Sequence, residues 1–212
     1  MGLFSNIFRN KKVQEETPPE VTGKCLELLE WERFLEGLSH AGRYISRREY
    51  LPEIEKFSGT MQTFRMFDEN ELLEDYCGKN GFEAERARAL YRDYERITER
   101  VDGLNDCYIK AKLMEEQDYL DHILEEVDPA IRLDEDQRTV VLSDEDYSLV
   151  VAGAGAGKTT TIAAKVKYLV EKQQIDPSRI LIISFTNKAV NELKEKINRD
   201  LNIPCPIATF HS

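Results

Sequence analysis

The sequence predicts an α/β fold with a partial parallel sheet in its second half, preceded by an all-α acidic helical region. Three observations support this prediction. Apolar residues recur at three- and four-residue spacing before about residue 130, whereas short apolar runs alternate with helical patterns after it. Residues 1–132 hold 29 acidic and 19 basic side chains, a balance of -10 out of -11 for the whole chain. The first half is therefore not expected to bind nucleic acid nonspecifically, because phosphate contacts need clustered Lys and Arg.

The composition is that of a globular protein, with 41% hydrophobic residues in 212. No apolar run approaches the roughly 20 residues that a membrane-spanning helix needs, and the chain does not open on a signal-peptide pattern. The four scattered cysteines lack the paired spacing of a zinc site. We therefore expect a cytoplasmic protein with no membrane partner.

Residues 1–23 are predicted to form a mobile tail and linker. The opening MGLFSNIFRNKK ends in basic residues, and the EETPPE sequence of residues 15–20 is typical of a linker. A short membrane-surface helix is the alternative for the opening residues.

Residues 24–129 are predicted to form helices, including an antiparallel helical hairpin. Apolar stripes at helical spacing cover residues 24–41, 90–104 and 109–127, and Asp102-Gly103 is predicted to break the chain between the last two. Such stripes indicate a packed core, with a partner-binding surface as the alternative. Asp128-Pro129 is expected to end the hairpin, which places a domain boundary near residue 130.

Three predicted strands, Tyr147–Val151, Ile180–Phe185 and Ile207–Phe210, alternate with amphipathic helices after this boundary. This order predicts a parallel sheet with right-handed crossovers, covered on both faces. The carboxyl ends of parallel strands meet at one edge, where ligands bind. A polar sequence follows each strand, so the three polar sequences are expected at the same edge.

The AGAGAGKTT sequence after the first strand predicts a phosphate-binding P-loop. Its glycines let backbone N–H groups turn toward phosphate oxygens, and the following helix directs its positive end to the same place. Lys158 is expected to reach the β and γ phosphates and Thr159 to ligate Mg²⁺, so these two are the predicted catalytic residues. A turn that merely joins strand to helix is the alternative. The predicted ATP-binding residues of the loop are Ala152, Gly153, Ala154, Gly155, Ala156, Gly157, Lys158, Thr159 and Thr160.

The sequences around the loop resemble motifs of the UvrD/Rep-like superfamily 1A DNA helicases. LDEDQR at residues 133–138 resembles the Q motif, FTNKA at 185–189 motif Ia, and TFHS at 209–212 motif Ib, while Ala152 in the first P-loop position is characteristic of the same superfamily. The resemblance implies that Gln137 recognises adenine; an ordinary surface glutamine is the alternative. It also implies a single-stranded DNA path along Phe185, Thr186, Asn187, Lys188, Thr209, Phe210 and His211. The alternatives are a core position for Phe185, a helix cap for Asn187 and a plain loop residue for His211.

The resemblance implies a RecA-like P-loop NTPase fold over residues 130–212. It also implies a motor that uses ATP and Mg²⁺ to move 3′ to 5′ on single-stranded DNA. Helicase IV-like proteins are the most similar members, and YLDHILEEVDPAI at residues 119–131 resembles the segment before their motor. Thr160 departs from the pattern, since many members carry arginine there to hold the nucleotide.

The chain is expected to be an amino-terminal fragment that is inactive alone. Asp134-Glu135 and Asp144-Glu145 are predicted helix-start and loop acids, and neither pair ends an apolar strand as the family's DE pair does. We expect the family's arginine finger and second motor domain to lie outside these 212 residues, in the full-length protein. Two other hypotheses stay open: a short nucleotide-binding adaptor or switch without hydrolysis, whose acidic helices bind a protein partner, and a P-loop NTPase unrelated to DNA.

Overall fold

The computed structural model describes residues 21–153 and 155–211, and the predicted tail up to residue 20 lies outside this part. Most of the described residues are helical, with one parallel two-stranded sheet. None of the described helices is both long and apolar enough to cross a membrane. The helices are α1 (Cys25–Ser39), α2 (Arg47–Glu69), α3 (Leu73–Lys79), α4 (Ala84–Glu95), α5 (Ile97–Glu115), α6 (Gln117–His122), α7 (Glu135–Leu142), α8 (Lys158–Glu171) and α9 (Asn187–Leu193), with a 3₁₀ turn at Pro177–Arg179 and a π-helix at Lys194–Asp200. The strands are β1 (Ile182–Ser184) and β2 (Ile207–Thr209).

The first of two compact units consists of the described residues up to Phe34 together with Lys56–Glu95. Its core is aromatic: the Trp31 ring lies 5.6 Å from Phe57 and 5.4 Å from Tyr94, in edge-on contacts. Edge-on pairs add to the stability that burial of their area gives. The apolar stripe of α1 is therefore core packing here.

The second unit consists of Leu35–Glu55 and the described residues from Arg96 onward. One apolar core joins α5 and α6 to α7, α8 and the sheet, and its buried members include Ile109, Leu120, Leu124, Val141, Leu142, Ala163, Ala164, Val166, Ile182, Val190 and Ile207. Packing within this unit thus continues across residue 130. The sequence-based division at that point stays a prediction.

Polar contacts also tie the segment before residue 130 to α8. The nearly buried Lys167 ammonium lies 2.6 Å from both carboxylate oxygens of Glu126, and Tyr119 donates its hydroxyl proton to Glu171 at 2.8 Å. The pKa of Glu126 is lowered by the hydrogen bond from Lys167. Burial and the Glu171 hydrogen bond raise the pKa of Tyr119. The predicted lead-in segment is therefore fastened to the helix that follows the glycine loop.

The prediction of a hairpin turn at Asp102-Gly103 is wrong. Helix α5 runs through both residues, and the helix is interrupted instead at Arg96, between α4 and α5. A single glycine costs a helix only about 1 kcal/mol relative to alanine. Burial of Val101 and Ile109 on the two sides of the glycine outweighs that cost.

The prediction of a strand at Tyr147–Val151 is also wrong for this structure. The segment has no strand pairing, and Leu149 and Val151 are 90% and 87% exposed. A strand needs a hydrogen-bonded neighbour, and the described residues supply none beside this segment. The other two predicted strands are confirmed in shortened form as β1 and β2, which pair in parallel with Ile182 opposite Ile207 and Ser184 opposite Thr209.

Candidate functional site

The glycine loop leads directly into α8, as predicted. Gly155 and Gly157 have φ angles of +79° and +75°, which L side chains rarely adopt, and α8 begins at Lys158. The Lys158 ammonium donates to the carbonyl oxygens of Ala152 at 3.1 Å and Gly153 at 2.6 Å. The loop therefore curls around the lysine that is predicted to bind phosphate. Ala154 lies outside the described residues.

Gln137 lies against this loop rather than on a free helix surface. The Asp134 carboxylate caps α7 by accepting from the backbone N–H of Gln137 at 2.8 Å. In return, the side-chain oxygen Oε1 of Gln137 accepts from the backbone N–H of Asp134 at 3.1 Å. This reciprocal capping box orients the side chain. The amide Nε2 then donates to the Ala156 carbonyl at 3.3 Å, and a Cβ added at Gly157 would stand 2.5 Å from that nitrogen. The glutamine and the loop thus fit each other closely.

A cavity of about 420 Å³ opens between Gln137 and the loop. Its walls include Gly155, Ala156 and Gly157 on the loop side and Thr160 on α8. Ile131, Arg132 and Asp134 complete the lining among the described residues. The cavity therefore joins the predicted adenine-recognising residue to the predicted phosphate-binding loop.

A second, mostly apolar cavity of about 620 Å³ is lined by Lys158, Lys165 and residues 180–183, and it shares Asp134, Gln137 and Ala156 with the first cavity. Lys165 donates to the carbonyl oxygens of Val141 at 2.8 Å and Ser143 at 2.5 Å, at the end of α7. Burial lowers the pKa of this amine to about 8. The sequence prediction missed Lys165, although it stands two helical turns after Lys158 on α8 and so on a nearby face.

Thr159, the predicted Mg²⁺ ligand, occupies the first turn of α8 and is half-buried. In the described ranges no group of three or more His, Cys, Asp or Glu side chains is arranged to hold a metal. A hydroxyl beside a phosphate-binding loop suits Mg²⁺, which typically takes few protein ligands together with phosphate oxygens. Thr159 therefore remains the predicted metal ligand.

The residues that are predicted to contact DNA follow the carboxyl ends of β1 and β2, which lie side by side. Because Ser184 pairs with Thr209, Phe185 and Phe210 follow at the same level, and their side chains are 87% and 74% exposed. The Phe210 ring makes an edge-on contact with His211 at 5.5 Å. Two adjacent aromatic side chains in solvent can offer stacking surfaces to bases.

Two alternatives for this edge are wrong. Phe185 is not a core residue, since it is almost fully exposed. Asn187 does not cap α9, because the Thr186 hydroxyl does so by accepting from the Ala189 N–H at 3.2 Å. The exposed side chains of Asn187 and Lys188 follow in the first turn of α9.

Comparison with known proteins covers this same part of the chain. The sequence model of the UvrD/REP helicase N-terminal domain matches residues 133–212. A probable DNA helicase II homolog of Mycoplasma capricolum is 48% identical over 84 residues, covering 38% of this chain and 12% of that protein. The ATP-dependent DNA helicase UvrD1 of Mycobacterium leprae is 42% identical over 84 residues, covering 38% and 11%. The ATP-dependent DNA helicase PcrA of Staphylococcus aureus is 35% identical over 80 residues, covering 36% and 11%.

The matched segment thus spans about an eighth of the length of the curated relatives. It begins at Leu133, directly before the capping box, and contains the loop, Gln137 and the sheet edge. The predicted resemblance to the UvrD/Rep helicases is therefore confirmed over residues 133–212.

Proposed function

We propose that this chain is the amino-terminal part of an ATP-dependent 3′–5′ DNA helicase or translocase, similar to helicase IV, in which residues 130–212 belong to a RecA-like P-loop NTPase domain. The observation that carries the proposal is the cavity that both Gln137 and the glycine loop line, because these residues belong to the segment that matches the helicase family. A turn that merely joins two elements needs neither this cavity nor a lysine held by the loop's own carbonyls.

In this proposal the loop binds Mg-ATP. Lys158 exchanges the carbonyls of Ala152 and Gly153 for the β and γ phosphates, a change that replaces neutral acceptors with charged ones. Backbone N–H groups between Gly153 and Lys158 and the positive end of α8 complete the phosphate site. Thr159, together with phosphate oxygens, would hold Mg²⁺, and the ion would supply positive charge at the phosphates.

Gln137 recognises the adenine edge in the same proposal. Its amide offers one acceptor and two donor hydrogens, which match the donor and acceptor of an adenine edge. In the structure, Nε2 of Gln137 donates to the Ala156 carbonyl oxygen, and Oε1 accepts from the Asp134 N–H. Nucleotide binding would therefore exchange at least one of these contacts for the base.

The sheet edge is proposed to contact single-stranded DNA. Phe185 and Phe210 stack on bases, while Thr186, Asn187, Lys188, Thr209 and His211 donate to the sugar-phosphate backbone. Hydrolysis of ATP and unwinding are proposed for the whole enzyme, and the short adaptor is the alternative.

Nucleotide binding tests the first part. Isothermal titration calorimetry of the 212-residue chain with a nonhydrolysable ATP analogue and Mg²⁺ should show one binding site. Lys158→Ala should weaken this binding at least tenfold. Lys110→Ala is the matched control, because Lys110 is an exposed lysine of α5. Equal affinities for the two variants would overturn the P-loop assignment.

DNA binding is tested in the full-length protein. Fluorescence anisotropy with a labelled single strand should show at least a fivefold loss for Phe185→Ala and a smaller, salt-dependent loss for Lys188→Ala, because only the second removes a charge. Tyr147→Ala controls for loss of an exposed aromatic, since Tyr147 is 92% exposed and precedes the loop. Unchanged DNA affinity with intact ATP turnover would favour an NTPase unrelated to DNA, and nucleotide binding without turnover would favour the adaptor.

A further inference from the structure

Arg132 occupies a position for which neither the sequence motifs nor the comparisons give a role. It lies one residue before the matched segment and forms part of the wall of the 420 Å³ cavity, which Thr160 and the glycine loop also line. It is the sole basic residue lining that cavity among the described residues.

The guanidinium of Arg132 is held in place by the chain around it. Its Nη1 donates to the carbonyl oxygens of Pro129 and Ile131, each at 2.7 Å. The turn that carries these carbonyls is closed by Asp128, whose carboxylate accepts from the Ala130 N–H at 2.8 Å. On the other side Leu133 is buried in the core and fixes the backbone.

The remaining donors of Arg132 are available to a ligand. In the described part of the chain, no hydrogen bond uses Nε or Nη2, and no carboxylate lies within ion-pair distance. An exposed, anchored guanidinium loses little conformational entropy when it binds, because its position is already restricted. This arrangement differs from Arg138, whose guanidinium is paired with Asp121 at 2.5 Å.

The lining of the cavity indicates which part of a nucleotide Arg132 would meet. Phosphates belong beside Gly155 and Gly157, the loop glycines that line the cavity directly before α8, so the base belongs toward Gln137. None of the described lining residues is aromatic, and Arg132 and Ile131 are the side chains large enough to cover a purine face there. A guanidinium plane stacks favourably on an aromatic ring.

We propose that Arg132 is a nucleotide-binding residue whose guanidinium stacks on the purine base, in the cavity that the glycine loop also lines. The proposal rests on the proposed function of the same site. Gln137 selects adenine by its edge, whereas Arg132 stabilises the ring by its face and is indifferent to which purine is bound. Thr160 and Arg132 both line this cavity, and among the described lining residues the guanidinium comes from Arg132 alone.

A competition experiment on the whole 212-residue chain tests this assignment. A fluorescent ATP analogue is displaced by Mg-ATP or by Mg-tripolyphosphate, which has the phosphates but no base. Arg132→Ala should weaken ATP binding about 3- to 20-fold, the range for a partly exposed cation–π contact, and leave tripolyphosphate binding unchanged within twofold. Arg132→Lys should behave like Arg132→Ala, because it keeps the charge and loses the plane. Arg179→Ala is the control, since Arg179 is an exposed arginine outside this cavity.

The outcomes separate this proposal from the proposed function. If Lys158→Ala abolishes ATP binding and Arg132→Ala leaves it unchanged, the role of Arg132 is refuted and the P-loop assignment stands. Equal loss of ATP and tripolyphosphate binding would make Arg132 a phosphate contact and overturn the base assignment. If the wild-type chain binds ATP no better than Lys158→Ala does, the proposed function itself fails.

Discussion

Replacement of Gly157 by alanine should destabilise the chain more than the same change at Gly155. Both glycines have φ near +75°, a conformation that costs an L residue about 1–2 kcal/mol. The added methyl at Gly155 meets nothing within 4 Å, whereas at Gly157 it would stand 2.5 Å from the Gln137 amide nitrogen. The glutamine must therefore move in one variant and not in the other.

The extra loss follows from the two hydrogen bonds that the Gln137 side chain makes. Its contacts with the Asp134 N–H and the Ala156 carbonyl measure 3.1 and 3.3 Å, and each bond contributes about 0.5–1.5 kcal/mol. We expect Gly155→Ala to cost about 1–2 kcal/mol from backbone strain alone. Gly157→Ala should cost about 2–5 kcal/mol, from the same strain plus the lost bonds.

Urea denaturation followed by circular dichroism measures the two losses, and amide hydrogen exchange at Asp134 gives a local readout. In a Gln137→Ala background the methyl group at Gly157 has no amide to displace, so the two glycine variants should become equally unstable. This cycle isolates the contact. Equal destabilisation of the two variants in the wild-type background would show that Gln137 does not pack on the loop.

Three further predictions concern polar contacts of the second unit. Because burial lowers the pKa of Lys165 to about 8, the folded state binds fewer protons than the unfolded state between pH 8 and 10.5. The wild-type chain should therefore gain about 2 kcal/mol relative to Lys165→Met as the pH rises from 7.5 to 9.5, and parallel curves would disprove the shift. Lys167→Met should lose about 1 kcal/mol at pH 7, since it removes the pair with the half-exposed Glu126. This deficit should shrink as the pH falls below 4.5, because the pKa of Glu126 is lowered in the fold, and a constant deficit would contradict it. Thr186→Ala should cost about 1 kcal/mol by removing the cap of α9, whereas Thr186→Ser should cost much less; equal losses would argue against the hydroxyl bond.

The helices and the loop could be predicted because their signals are local. The three- and four-residue spacing in α1 and α8 and the glycine pattern before Lys158 depend on neighbours in sequence alone. The capping box of α7 is visible in the same way, as Asp134 followed three residues later by Gln137. These features need no knowledge of distant contacts.

The errors arose where distant contacts decide the outcome. Gly103 is a plausible break in isolation, but the burial of α5 on both sides keeps it helical. An apolar run such as Tyr147–Val151 becomes a strand only beside a paired neighbour. The contact of Gln137 with Gly157 and the orientation of Arg132 toward the same cavity join residues that no sequence spacing relates.

The contacts between residues 116–127 and α8 involve residues that precede the segment matched by the helicase domain model. These residues nevertheless pack in the same core as that segment. The match to the helicase domain model begins at Leu133, yet Leu120, Leu124 and Glu126 complete the surface on which α8 rests. A polypeptide trimmed to the matched segment would expose an apolar flank and remove the Glu126 carboxylate from the nearly buried Lys167 ammonium. The smallest piece able to fold around the 420 Å³ cavity is therefore longer than the segment that the domain model matches.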